Sequence, residues 1–179
     1  MQNNPWHSVN VGNSIPSFVN AVIEIPKGSK AKYELDKSSG LLKMERVLFS
    51  SLHYPVNYGF IPQTFCEDGD PLDILVICSI DVEPMCIIEA KVIGVMRMLD
   101  EEDYDDKIIA VAKNDLSVSN INNIEELPPH IVVELRRFFE DYKKLGNKKT
   151  IADGFLGKEQ AYKIIDESIA LYSKTAFTY

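Results

Sequence analysis

The stretch "EDGDPLDILVI", residues 67–77, sets Asp68, Asp70 and Asp73 directly before a run of apolar residues. Carboxylates crowded at the edge of a low-dielectric interior repel one another, and each resists ionising unless positive charge is supplied. On a plain extended strand Asp68 and Asp70 share a face and Asp73 points to the other. Pro71 makes a plain strand unfavourable here and suggests a turn, in which all three carboxylates can converge. A second acidic run, "DEEDYDDK", makes six of the seven residues 100–106 acidic and ends on Lys107. Alone, each run reads as a solvated loop. Each, however, lies at the end of a predicted strand, so a barrel can bring both to one mouth. Oxygen donors gathered there suit a hard cation such as Mg²⁺ or Mn²⁺.

Other metal chemistries fit less well. An EF-hand loop starting at Asp68 would need Gly where Asp73 stands and Glu where Ser79 stands. His7, His53 and His130 are scattered along the chain, which disfavours zinc. Cations and hydroxyls that could answer the carboxylates are present. "KYE" puts Lys32 and Glu34 on one face of a strand, and Arg46 lies in the next. "YPVNYGF" offers the hydroxyls of Tyr54 and Tyr58 in a turn-rich segment, and "DYKK" offers Tyr142 and Lys143 on a helix. Taken singly, each of these is an ordinary surface or core residue.

The elements that must position these residues follow from periodicity. Residues 18–26, 31–36, 41–49, 74–79, 85–99 and 107–112 are short, β-branched and separated by turn signals. The long 85–99 run contains Gly94, which predicts a bulge or bend. Such a series predicts a closed or nearly closed antiparallel barrel, OB-like in type. After "LPP", Ile131, Leu135, Phe138, Phe139, Tyr142 and Leu145 recur at helical spacing, and a second helix is expected over about 158–172, with Ala161, Ile165, Ile169 and Tyr172 inward. The fold class is therefore α+β: a small antiparallel β-barrel with two main C-terminal helices packed on it, one domain spanning 1–179.

Composition narrows the function. The 179 residues carry a formal net charge of −8, the wrong sign for a partner gripped by its phosphate backbone. No apolar run reaches membrane-spanning length, and the N-terminus lacks the pattern of a signal peptide. Three cysteines without a CxxC pair read as reduced and mostly buried. A cytoplasmic protein that binds neither nucleic acid nor membrane is expected.

In this combination the residues resemble the family I soluble inorganic pyrophosphatases, in their compact bacterial type. "DGDPLD" at 68–73 is the motif that carries the resemblance. "EIP" with Glu24, "KYE", "ER" with Arg46, "YPVNYGFIP", the 100–107 run and "FFEDYK" accompany it in order. The match is close over about 19–143 and looser beyond. Phe60 and Phe155 depart from residues common in the family, which touches packing more than the site.

The resemblance implies Mg²⁺-dependent hydrolysis of pyrophosphate to two phosphates, by a metal-activated water attacking in line. It implies several Mg²⁺ ions, with Mn²⁺ as a substitute, held by Asp68, Asp73, Asp100 and Asp105, and by Glu24 through bound waters. It makes Asp70 the general base and assigns Lys32, Glu34, Arg46, Tyr58, Lys107, Tyr142 and Lys143 to substrate binding. It further implies a homo-oligomer, most often a hexamer. The rival from the residues themselves is a barrel module that binds oligonucleotides or sugars, but the aromatics here lie beside carboxylates and not among cations.

Overall fold

Runs of β-branched residues with both faces apolar need cover on both sides, and this requirement organises the molecule. The computed structural model describes residues 4–48, 51–100, 103–144 and 150–175. A short helix α1 (Pro5–Ser8) precedes β1 (Phe18–Ile25), β2 (Ala31–Leu35), β3 (Leu42–Val47), β4 (Asn57–Phe60), β5 (Asp73–Ile77), β6 (Ile87–Asp100), β7 (Asp103–Tyr104) and β8 (Lys107–Ala112). A 3₁₀ turn (Ile124–Glu126), helix α2 (Pro129–Lys144), strand β9 (Thr150–Gly157) and helix α3 (Lys158–Lys174) follow.

Five strands close a ring: β1 pairs β4, β4 pairs β5, β5 pairs β8, β8 pairs β6, and β6 returns to β1. The expected barrel is present with one parallel pair, β5–β8, among its otherwise antiparallel pairings. Five is odd, and a closed ring with an odd number of strands cannot alternate direction throughout. That parallel pair also sets Asp73 beside Lys107. The β2–β3 pair stands outside the ring as a ribbon.

Alternate residues of β5 point to opposite faces, and each face has its own cluster. Ile74 and Val76 pack with Val19, Val92 and Ile108 beneath Ala161 and Ile165 of α3. Leu75 and Ile77 pack with Ile93, Met96 and Ile109 beneath Leu135, Phe138 and Phe139 of α2. Each such fully buried side chain contributes about 1.5–3 kcal/mol. Two helical stripes read from the sequence therefore cover the two faces of the barrel wall. The expected bend at Gly94 is a register shift between Val92 and Gly94, after which β6 pairs β9 as well. Among the described residues no helix is long and apolar enough to cross a membrane.

Three strands escaped the sequence reading: β4, the two-residue β7 and β9. Residues 57–60 were expected as a turn because Pro55, Asn57 and Gly59 are turn formers. They form β4, and Gly59 is required there for packing: a Cβ on it would lie 1.9 Å from the Val22 carbonyl oxygen. Strand β9 lacks sustained alternation and contains Gly154, so nothing in its pattern marks it. The cysteines are free, as expected, but not mostly buried: Cys66 and Cys78 are half-buried and Cys86 is exposed. Cys86 stands just before β6, where neighbouring Ile87 is exposed too.

Candidate active site

The site is built where strand ends meet. Asp73 opens β5, Lys107 opens β8, and their register sets them side by side. The Lys107 ammonium lies 2.5 Å from Asp73 Oδ2 and 2.8 Å from Asp105 Oδ1. Tyr58, on β4, donates its hydroxyl hydrogen to Asp73 Oδ2 at 2.5 Å. The ammonium also sits 5.6 Å from the ring centres of Tyr58 and Phe139, within cation–π range. Lys107 is buried, at 4% exposure.

These groups form the floor of a cleft of about 570 Å³ whose walls are the β2–β3 ribbon and the 68–71 turn. Lys32 and Arg46 are register partners on the ribbon, so two cations stand abreast. Lys32 is ion-paired with Glu34, and Arg46 Nε lies 2.9 Å from Glu45 Oε2. Opposite, the Asp70 backbone N–H donates to Asp68 Oδ1 at 3.0 Å, which folds the turn, and Gly69 takes φ +88°, a conformation that favours glycine. Asp68, Asp70 and Asp73 all line the cleft, as the turn at Pro71 predicts. Glu24 is 7% exposed on β1, and its Oε1 accepts the Leu35 N–H at 2.7 Å.

Burial governs the protonation of these groups. Desolvation pushes the Glu24 carboxyl up to about 8, the Leu35 hydrogen bond notwithstanding. Desolvation likewise raises Asp68. For Asp73, desolvation raises the carboxyl, Lys107 opposes it and Asp105 adds to it, and the net direction is upward. Burial by itself would lower Lys107, but Asp73 and Asp105 outweigh it and hold the ammonium well above the ordinary lysine range. Desolvation and the same two carboxylates keep Tyr58 protonated, a hydrogen-bond donor at any ordinary pH. The cleft therefore holds more carboxylate than its cations balance.

Ten of the thirteen residues expected at the site line this one cleft: Glu24, Lys32, Glu34, Arg46, Tyr58, Asp68, Asp70, Asp73, Asp105 and Lys107. The side chains of Asp100, Tyr142 and Lys143 lie outside the described residues, as does Glu101. Sequence reasoning missed Lys37, Tyr33 and Phe139, which also line it. Phe139 had been assigned to the helix stripe only, and it serves both. Tyr33 lies between Lys32 and Glu34 on β2 and is partly buried against the cluster that holds Tyr58 and Phe139. Lys37 sits in a "DKSSG" turn, where a cation is solvated by default; its partner Asp70 is far away in sequence.

Among the described residues no group of three or more His, Cys, Asp or Glu side chains is placed to hold a metal ion. Mg²⁺ seldom uses an all-protein cage: it keeps several waters and takes one or two carboxylates together with substrate phosphates. An all-oxygen donor set with desolvated, under-neutralised carboxylates fits that ion.

The chain matches the family described as Inorganic pyrophosphatase over residues 21–173. It is 53% identical over 170 residues to soluble inorganic pyrophosphatase 2 of Chlamydomonas reinhardtii, covering 95% of this chain and 88% of that one. With soluble inorganic pyrophosphatase 4 of Arabidopsis thaliana the identity is 52%, over 94% of this chain and 78% of the relative. The crystal structure of the inorganic pyrophosphatase from Thermus thermophilus superposes with a TM-score of 0.91 at 38% identity, over 95% of this chain and 99% of that one.

Proposed function

The chain belongs to the family I soluble inorganic pyrophosphatases, enzymes that hydrolyse pyrophosphate with Mg²⁺, and from that premise we propose how its own residues divide the work. The observation that carries the reading is the buried Lys107 clamped between Asp73 and Asp105 in a cleft with surplus carboxylate.

Asp68, Asp73, Asp100 and Asp105 are the residues to hold Mg²⁺, with Glu24 acting through water, and Mn²⁺ is a substitute ion. When bound, several such ions neutralise the pyrophosphate charge and acidify the water that attacks in line. Asp70 accepts that water's proton on its carboxylate. Lys107 and Tyr58 present an ammonium and a hydroxyl donor from the cleft floor to one phosphoryl group. Lys32 and Arg46, abreast on the ribbon, face the substrate from the other side, joined by Tyr142 and Lys143 of α2. Glu34 orients Lys32 through their ion pair. The leaving phosphate departs with its new charge held by these cations.

The test is phosphate release from pyrophosphate with Mg²⁺ and with a chelator. Turnover that is lost on chelation and restored by Mg²⁺ is expected. No release at millimolar Mg²⁺ would leave a barrel that only binds.

We further propose the compact bacterial type and one domain over 1–179, a reading supported by the superposition on the Thermus thermophilus enzyme. A cytoplasmic homohexamer, which the family resemblance implies, is part of the same proposal. Exposed apolar side chains such as Met44, Ile80 and Ile87 offer contact surface for it, and light scattering on the purified chain checks the assignment.

A further inference from the structure

Nothing in the division of roles above uses Lys37 or the segment that precedes β1, yet the two are joined to the Asp70 turn from both ends. The Lys37 ammonium is ion-paired with Asp70 and donates to the Gly69 carbonyl at 2.9 Å. Its backbone carbonyl accepts the Asn4 side-chain amide at 2.8 Å. The same ammonium lies 5.6 Å over the ring of Trp6, the chain's single tryptophan, which is 1% exposed.

Trp6 in turn grips the entry to the turn. Its indole N–H donates to the Thr64 carbonyl at 2.8 Å, and its own carbonyl accepts the Gln63 N–H at 2.9 Å. The Cys66 N–H then closes the turn on the Asp70 carbonyl at 2.8 Å. The stem of the turn is thus held by Trp6 and its tip by Lys37, and both holders are fixed to residues 4–8. A lysine placed only for solubility would need none of these bonds.

We propose that Lys37 is a positioning residue, tying the Gly69–Asp70 tip to the N-terminal segment so that the Asp70 carboxylate stands where it meets the attacking water. The proposal rests on the reading of Asp70 as the proton acceptor. A general base must be within hydrogen-bond reach of the proton it takes, and small displacements cost rate steeply. Lys37 acts through Asp70 and does not itself hold the substrate.

Two measurements on the full chain test this. In steady-state hydrolysis, Lys37→Met should lower kcat by between about tenfold and a hundredfold, leave KM within about twofold, and be largely rescued by Lys37→Arg. In Trp6 fluorescence without metal or substrate, Lys37→Met and Asp70→Asn should each shift the emission, since either change takes the ammonium away from the indole. The double variant should shift it no further than the single ones. Wild-type kcat in Lys37→Met, a loss expressed in KM alone, or unchanged Trp6 emission in Asp70→Asn would each overturn the tie. Should Lys37→Met fail to fold, Lys37→Gln, which keeps a donor for the Gly69 carbonyl but no charge, decides by the same two readouts. Wild-type kcat in Asp70→Asn instead sinks the base assignment, and the emission data then read the tie separately.

Discussion

Two clefts meet at the 68–73 turn, and the larger one is not where the chemistry points. The second cleft, about 900 Å³, lies on the other side of the turn against α3 and shares Asp68, Asp73 and Asp105 with the first. Its two cations are both paired. Arg97 binds Asp106 through two nitrogens at 3.1 Å each, and Lys163 lies 3.8 Å from Glu167. In the first cleft Glu24, Asp68 and Asp73 are all displaced upward by desolvation and lack sufficient positive charge. Adjacent residues divide the two: Asp105 turns to Lys107 and Asp106 to Arg97. Volume says where something fits. Unbalanced charge in a desolvated place says where a cation and an anion are wanted.

The contrast can be broken most sharply at the shared carboxylates. Asp73→Asn or Asp105→Asn should cost several orders of magnitude in rate and raise the Mg²⁺ needed for activity, with the fold intact by circular dichroism. Near-normal turnover at ordinary Mg²⁺ in either variant would remove the metal assignment. Next in size is Asp70→Asn, which keeps shape and an acceptor oxygen. Its rate should fall by about 10²–10⁴ and recover in part at higher pH, where the attacking water ionises unaided; an unchanged pH–rate profile argues against the base role.

A smaller effect separates buried charge from chemistry. The Glu24 carboxyl stands near 8 in the folded chain against an ordinary 4.5, so it binds its proton more tightly folded than unfolded. It therefore withdraws no stability at low pH, and withdraws it progressively as pH rises from about 4.5 through about 8. In chelator, Glu24→Gln should melt with the wild type near pH 4.5 and about 5 °C or more above it at pH 8.5. Equal melting at both values would mean that the Glu24 carboxylate is not under-neutralised. The smallest effects belong to the second cleft. Arg97→Gln should lower the melting temperature by about 2–6 °C and Lys163→Gln by less than about 1 °C, with kcat/KM within about twofold of wild type in both. A hundredfold rate loss in either would make the second cleft part of the reaction.

Much of the first cleft was legible because its parts are local in the chain. Asp68, Asp70 and Asp73 fall within six residues around a proline, and Lys32 and Glu34 are two apart on a strand, where alternation puts them together. The two helices were legible from their apolar stripes, and Gly94 from its place inside a strand. Strand β4 was hidden because turn-forming residues were needed for another purpose, the approach of Gly59 to Val22. Tyr33 was hidden because alternation assigns it to the face opposite Lys32 and Glu34, and Lys37 because turn lysines are ordinarily solvated.

What the sequence determined by itself was the inventory: barrel strands, two covering helices, and an excess of oxygen donors with a few cations to answer them. Pattern and composition suffice for that, since local propensity and hydrophobic period act over a few residues. Which donor faces which cation was decided only by the tertiary structure. A five-membered ring forces one parallel pair, that pair puts Asp73 beside Lys107, and closure around it desolvates both. The same long-range geometry brings Lys37 to Asp70 across the molecule, because ion pairing at a distance depends on where the ring closes and not on what stands next along the chain.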